Sequence, residues 1–227
     1  MREPSVFLCP KCDLPLEEGA VFVCPRGHSF DRARSGYVNL EPSPGRGDTR
    51  EMLLVRRAFL ERGFFDPLAD AVNARVLEHL HRLRTANRLR GDELIVDAGC
   101  GEGHYLRKLA ECLQQTETFG RLRLVGLDAS RDAARLAAAR IPGRRCAVVD
   151  ITRSLHVRRR SAAVVLDIFA PRNPAAFAET LMPGGLCLVV VPRAGHMQEL
   201  PAACCRCWRS RRRSATGSSS SSGHTSH

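Results

Sequence analysis

The sequence predicts an α/β fold, a parallel sheet with helices on both faces, preceded by a small module bearing two Cys/His pairs. Three observations predict it. Between residues 50 and 200, short continuous apolar runs alternate with amphipathic helical patterns, as strands buried on both faces require. The first 40 residues carry Cys9, Cys12, Cys24 and His28 as two closely spaced pairs. Between these zones, residues 41–49 read Glu-Pro-Ser-Pro-Gly-Arg-Gly-Asp-Thr, a Pro/Gly linker.

The elements follow in order. Residues 1–40 form the ribbon module, in which Leu14 to Val23 is long enough for a hairpin that returns the second Cys/His pair to the first. Residues 41–89 hold the linker and a helical segment. Arg50 to Arg62 carries Met52, Val55 and Phe59 at helical spacing. Pro67 to Leu83 carries the stripe Leu68, Val72, Val76, Leu80 and Leu83, with Asp70, Asn73, Glu78 and Arg82 opposite. Residues 90–200 alternate strand and helix. Strands are expected at Leu94–Asp97, Leu122–Asp128, Cys146–Val149, Ala162–Ile168 and Leu186–Val191, so five are recognisable. Helices are expected over His104–Leu113, from a Ser130 cap to Arg140, and from Asn173-Pro174 to Met182. From Pro201 the composition turns to Cys, Arg and Ser without period, a 201–227 tail expected to be disordered.

Composition narrows the function classes. The chain has 227 residues, 44% hydrophobic and 26% charged, enough for one medium domain and a small module. No run of 18 uncharged apolar residues exists, so no transmembrane helix is expected. Met1 to Cys12 lacks the apolar core of a signal peptide, so a cytoplasmic protein is expected. The net charge of +11 falls to +6 once the five arginines after Leu200 are set aside. That excess suits a polyanionic partner such as nucleic acid. Only two of the 35 basic residues are lysines, so coding bias is a competing source of the arginines. Ten cysteines without an export signal are not a disulfide framework.

Cys9-Pro-Lys-Cys12 and Cys24-Pro-Arg-Gly-His28 supply the four ligands that tetrahedral zinc takes. All four positions are filled by protein, so one zinc would be structural, stabilising a module too small to fold on its own core.

Leu94-Ile-Val-Asp97-Ala-Gly99-Cys-Gly101-Glu102-Gly103 reads strand, glycine turn, helix. No Lys-Ser/Thr follows the last glycine, which excludes a phosphate-gripping P-loop. A dinucleotide site is the natural rival. Asp97 ends the strand immediately before the glycines, and Asp128 closes the next strand, where an acid can accept hydrogen bonds from ribose hydroxyls. The Asp97 and Gly-x-Gly-x-Gly spacing looks like the S-adenosylmethionine loop of class I methyltransferases, which implies a Rossmann-like sheet. Asp150, after the third strand, is placed either to meet the adenine amino group or to cap a loop.

The chain then resembles one family across residues 7–200. Cys9-Pro-Lys-Cys12, Cys24-Pro-Arg-Gly-His28-Ser-Phe30-Asp31, Gly36-Tyr-Val-Asn-Leu40, Arg56-Arg-Ala-Phe-Leu-Glu-Arg-Gly63, Asp97 to Gly103, Phe169-Ala-Pro-Arg-Asn173 and Pro183-Gly-Gly185 are similar to segments of the zinc-ribbon guanine-N1 methyltransferases of large-subunit ribosomal RNA. The resemblance implies methylation of a guanine in a ribosomal RNA hairpin, a homodimer and, in some members, macrolide resistance. It implies Cys9, Cys12, Cys24 and His28 as zinc ligands and Gly101 and Glu102 as cofactor-loop contacts. Phe65 would correspond to the aromatic packed on S-adenosylmethionine, and His196 to the histidine after the fifth strand. Guanine N1 must lose a proton, and Asp167 in Leu166-Asp-Ile-Phe169 is either the acid that serves as its base or a structural residue. Phe169 is placed either to stack on an extruded base or to pack in the core.

The likeness stops near Leu200, where the family continues into further strands. Leu186 to Val191 is therefore expected to be an uncovered apolar edge. The alternative function is a catalytically impaired relative that keeps the ribbon and binds RNA.

Overall fold

A computed structural model describes residues 5–41, 47–119 and 121–193. His196 and the 201–227 tail lie outside the described residues.

The front module builds on a hairpin, β1 (Val21–Val23) against antiparallel β2 (Ser29–Asp31), with Phe22 opposite Phe30. Two bridges, Leu8 with Pro15 and Glu17 with Val23, fold the first Cys pair back onto it. β3 (Val38–Asn39) then leaves the module and enters the main sheet.

α1 (Arg50–Leu60) starts at Thr49, whose side chain accepts from the Met52 N–H, and α2 (Asp66–Thr85) starts with Pro67 in its first turn. Strand and helix then alternate: β4 (Leu94–Ala98), α3 (His104–Gln114), β5 (Arg123–Asp128), α4 (Arg131–Ala138), β6 (Cys146–Val148), β7 (Ala162–Ile168), α5 (Pro174–Thr180) and β8 (Leu181–Val190). The expected caps are in place: Ser130 accepts from the Ala133 N–H, and Asn173 from the Ala176 N–H.

The sheet has six parallel strands in the order β3-β6-β5-β4-β7-β8, so the expected five become six. The sixth, β3, is two residues long and pairs Val38 with Ala147 and Asn39 with Val148. From β4 the chain winds one way through β5 and β6 and then the other way through β7 and β8. The reversal between β4 and β7 opens a crevice above their carboxyl ends, where ligands of such sheets sit.

Two expectations need correcting. The linker does not separate two cores. Phe7, Leu16, Phe22, Val38 and Leu40 share one buried cluster with Val96, Val149, Ile151, Leu155 and Val157. Backbone bonds fasten the same seam, from Leu8 N–H to the His156 carbonyl (2.8 Å) and from Arg158 N–H to the Val6 carbonyl (2.9 Å). Residues up to Val191 accordingly form one compact unit. α1 also buries the other side of its helix. Leu53 and Leu60 face inward, whereas Met52, Val55 and Phe59 are 39%, 68% and 46% exposed. α2 keeps its expected stripe and buries Asn73 as well, which donates to the Lys108 carbonyl at 3.4 Å.

β8 is the outer strand among the described residues; Cys187 and Val189 within it and Val191 just after it are exposed. Among the described residues no helix is long and apolar enough to cross a membrane.

Candidate active site and metal centre

The metal ligands converge first. The ligand atoms of Cys9, Cys12, Cys24 and His28 all lie within 4.8 Å of one another. His28 Nδ1 is 3.5 Å from Cys9 Sγ and 3.4 Å from Cys24 Sγ, and Cys12 Sγ is 3.6 Å from Cys24 Sγ. Tetrahedral zinc with Zn–S of about 2.3 Å and Zn–N of about 2.0 Å needs ligand edges of roughly 3.5–3.8 Å, so the spacing fits. Burial raises the Cys24 thiol, but the His28 and Arg26 N–H groups and the Cys12 and Cys9 thiols outweigh it and bring it down to about 6. A thiol so placed loses its proton readily, as a metal ligand must.

The crevice is built by the ends of β4, β5 and β7, which deliver Asp97, Asp128 and Asp167 to one mouth. Gly99, Gly101 and Gly103 follow β4 with φ of +87°, +56° and +86°. The Gly99 and Cys100 N–H groups both reach the Leu127 carbonyl, which pins the loop to β5. Asp128 holds the loop from the other side. One carboxylate oxygen accepts from Gly101 N–H at 2.9 Å, the other from Ser130 N–H at 2.8 Å.

Asp97 is 1% exposed, and its Oδ2 accepts no hydrogen bond among the described residues. Burial, then the Asp128 and Asp167 carboxylates, push its carboxyl up to about 7. A buried carboxylate without a partner among like charges is a place made for a cation. The nearby Tyr105 hydroxyl is raised to about 12 by its own burial and by Asp97.

Asp97 makes stability depend on pH. The unfolded carboxyl ionises near 3.8 and the folded one near 7, so ionisation weakens the ligand-free fold progressively between those values. Asp97→Asn removes that cost. Relative to the parent, its ligand-free stability should rise by a few kcal/mol from pH 4 to pH 8, at about 1.4 kcal/mol for each tenfold difference in proton affinity between the folded and unfolded carboxyl. Urea unfolding at several pH values measures it, and parallel stability curves for the two proteins would refute the assignment.

Asp167 is fully buried; burial raises its carboxyl, while the Ala170 N–H and Arg172 pull it back. Arg172 Nε stands 3.6 Å from Asp167 Oδ2. Phe169 follows with φ +57°, a conformation rare for a bulky residue, and is 45% exposed. Its ring meets Phe65 edge-on at 6.3 Å, and Phe65 meets Phe59 at 5.9 Å. These rings wall the mouth of the crevice. Asp150 turns its carboxylate to Thr152, accepting from the backbone N–H (3.0 Å) and the hydroxyl (2.6 Å), so it caps a turn.

Glu102 faces the protein. Its Oε2 accepts from Arg57 Nε at 3.1 Å and from Arg140 Nη1, joining α1 to the end of α4 across the glycine loop, while Oε1 accepts nothing among the described residues. Arg57, Arg140, Tyr105 and Arg172 are site residues to which the sequence assigns no role, although Arg57 and Arg172 lie in segments that carry the resemblance. Arg56 and Arg57 stand side by side on α1, and nothing in their spacing foretells a bond to Glu102.

Comparison with known proteins agrees with this geometry. Residues 7–44 match the family model described as "RlmA, N-terminal". The chain is 38% identical over 198 residues to the 23S rRNA (guanine(748)-N(1))-methyltransferase of Streptomyces fradiae, covering 85% of this chain and 65% of that one. It is 38% and 35% identical to two proteins named "Putative 23S rRNA (guanine-N(1)-)-methyltransferase", from Micromonospora griseorubida and Bacillus subtilis. These alignments cover 85% and 86% of this chain and 67% of each relative. The chain thus spans about two thirds of the length of the curated relatives it matches.

Proposed function

This chain belongs to the family of 23S rRNA (guanine-N1)-methyltransferases, and we propose that it transfers a methyl group from S-adenosylmethionine to N1 of a guanine in large-subunit ribosomal RNA. The observation that carries the reading is the unpartnered carboxylate of Asp97 beside a glycine loop at the β4/β7 reversal. S-adenosylmethionine, when bound, supplies an electrophilic methyl on a sulfonium and carries an ammonium group. Asp97 offers that cation a counter-charge, and the backbone of Gly99, Gly101 and Gly103 leaves room for close approach. Asp128 holds the loop and would take the ribose hydroxyls, Asp150 would meet the adenine amino group only by leaving its turn on Thr152, and Phe65 would offer a ring to pack on.

The chain's own chemistry is alignment and proton removal. Phe169 would stack on the extruded guanine, and Asp167, its basicity raised by burial, would take the N1 proton as the nitrogen–carbon bond forms and the carbon–sulfur bond breaks. Glu102 supports the loop through Arg57 and Arg140. One structural zinc on Cys9, Cys12, Cys24 and His28 would hold the ribbon. His196 remains a proposed contact from the resemblance. The reading extends to a homodimer in the cytoplasm, where ribosomal RNA lies, and to protection against macrolides.

Calorimetry with S-adenosylmethionine and a methyl-transfer assay on a 23S rRNA hairpin, read by mass spectrometry of the nucleosides, test it. Guanine methylated at N1 is expected, with Asp167→Asn lowering kcat about 100-fold or more. Binding of cofactor and hairpin without turnover would leave an RNA-binding relative instead.

A further inference from the structure

The amino ends of the strands carry a second concave site. A cavity of about 620 Å³ opens between the turn before β4, the start of β5 and the turn before β6. Arg90, Arg121, Arg123 and Arg145 line it. An adjoining cavity of about 140 Å³ shares Arg90 and Arg121 and adds Arg84. Asp92 in its wall stands five residues before Asp97, so this groove lies roughly 17 Å along the sheet from Asp97, at the opposite end from the crevice.

Three of these charges have no carboxylate partner among the described residues. Arg84, Arg90 and Arg121 are exposed, and their guanidinium groups meet no carboxylate among the described residues. Two acids beside them, Asp92 and Glu93, are occupied. Asp92 pairs with Arg158 at 3.4 Å, and Glu93 is buried, accepting from the Arg90 and Gly91 N–H groups at 2.6 and 2.8 Å. Like charges gathered in a concave surface focus a positive potential that favours anions. The aromatic ring in the wall is not available for a base: Phe119 is 3% exposed and packs edge-on against His81 at 4.9 Å. A charged groove that runs through two cavities and offers no stacking surface suits a chain of phosphates better than a free nucleotide.

We propose that this arginine groove at the amino ends of β4, β5 and β6 binds the phosphodiester backbone of RNA, remote from the methyl-transfer crevice. It rests on the reading of RNA as substrate for its biological meaning, but not for its test. The contacts hold the RNA by charge and carry no base preference.

The probe is an oligouridylate, which contains no guanine to methylate. Binding by the full chain is measured by fluorescence anisotropy across a salt series. Arg90→Ala/Arg121→Ala should bind about 10-fold more weakly near 0.1 M salt, with the log–log salt slope reduced by about 1.4–1.8. Arg84→Ala alone should reduce the slope by about 0.7–0.9. Arg90→Lys/Arg121→Lys should restore most of the affinity. The five arginines after Leu200 are common to all these proteins and cancel. Affinity for S-adenosylmethionine and melting temperature should be unchanged. Equal slopes in parent and double variant, or no oligouridylate binding by the parent, would overturn the proposal. So would displacement of the probe by ATP at stoichiometric concentration, which would mark a nucleotide site. Loss of methyl transfer to the hairpin with the groove result intact would sink the functional reading alone.

Discussion

Gly99→Ala is expected to abolish cofactor binding, with affinity falling at least about 100-fold, whereas Gly101→Ala falls far less. The difference is steric. A Cβ at Gly99 would stand 2.3 Å from the Ala170 Cβ, a separation that real carbon atoms do not hold. At Gly101 it would meet only the flexible Arg56 guanidinium, at 3.8 Å. Both positions have positive φ, which costs a side chain about 1–2 kcal/mol. Gly99 adds overpacking of about 1–3 kcal/mol. Relief would push apart the loop after β4 and the loop after β7, which carries Phe169. The two walls of the crevice would then lose their spacing together. Calorimetry with S-adenosylmethionine on both variants, beside their melting curves, decides it. Equal affinities for the two variants would show that the loop tolerates bulk at Gly99 and that the pinch point lies elsewhere.

The second large effect is at the metal centre. Cys24→Ser is expected to lower the melting temperature of the whole unit by roughly 10 °C, in a single transition, and to weaken S-adenosylmethionine binding with it. Structural zinc contributes about 10–16 kcal/mol in small metal-folded peptides. A loss of about 3–4 kcal/mol suffices, at roughly 2–4 °C per kcal/mol for a chain of this size. Two separate cores would confine the damage to the ribbon. Here the ribbon's Phe7, Leu16 and Phe22 pack in the cluster that holds Val149 and Ile151. Ile151 in turn would lie 3.6 Å from a Cβ at Gly99, so the segment the ribbon rests on also touches the cofactor loop. Chelator treatment of the parent should reproduce the shift. Two distinct transitions, with the later one at the parent's temperature and cofactor binding retained, would show independent modules.

What could be read directly from the chain was local. Cys9, Cys12, Cys24 and His28 are spaced so that two tight turns present four ligands, and turn geometry depends on neighbours in sequence. Asp97 with its glycines, the Ser130 and Asn173 caps and the apolar strands β4, β5 and β7 were legible for the same reason: each is a short-range pattern.

Tertiary structure decided everything that depends on a distant partner. β3 is two residues, Val38 and Asn39, and becomes a strand only because Ala147 and Val148 pair with it from far along the chain. α1 carries apolar residues on both sides, so its period alone could not tell whether Leu53 or Val55 faces inward; the surface it lands on chose Leu53 and Leu60. Glu102 reads as a cofactor-loop contact in the sequence; in the fold Arg57 from α1 and Arg140 from the turn after α4 bond it. Spacing encodes local geometry, but burial and charge pairing are set by which surfaces meet, and that is a property of the folded chain.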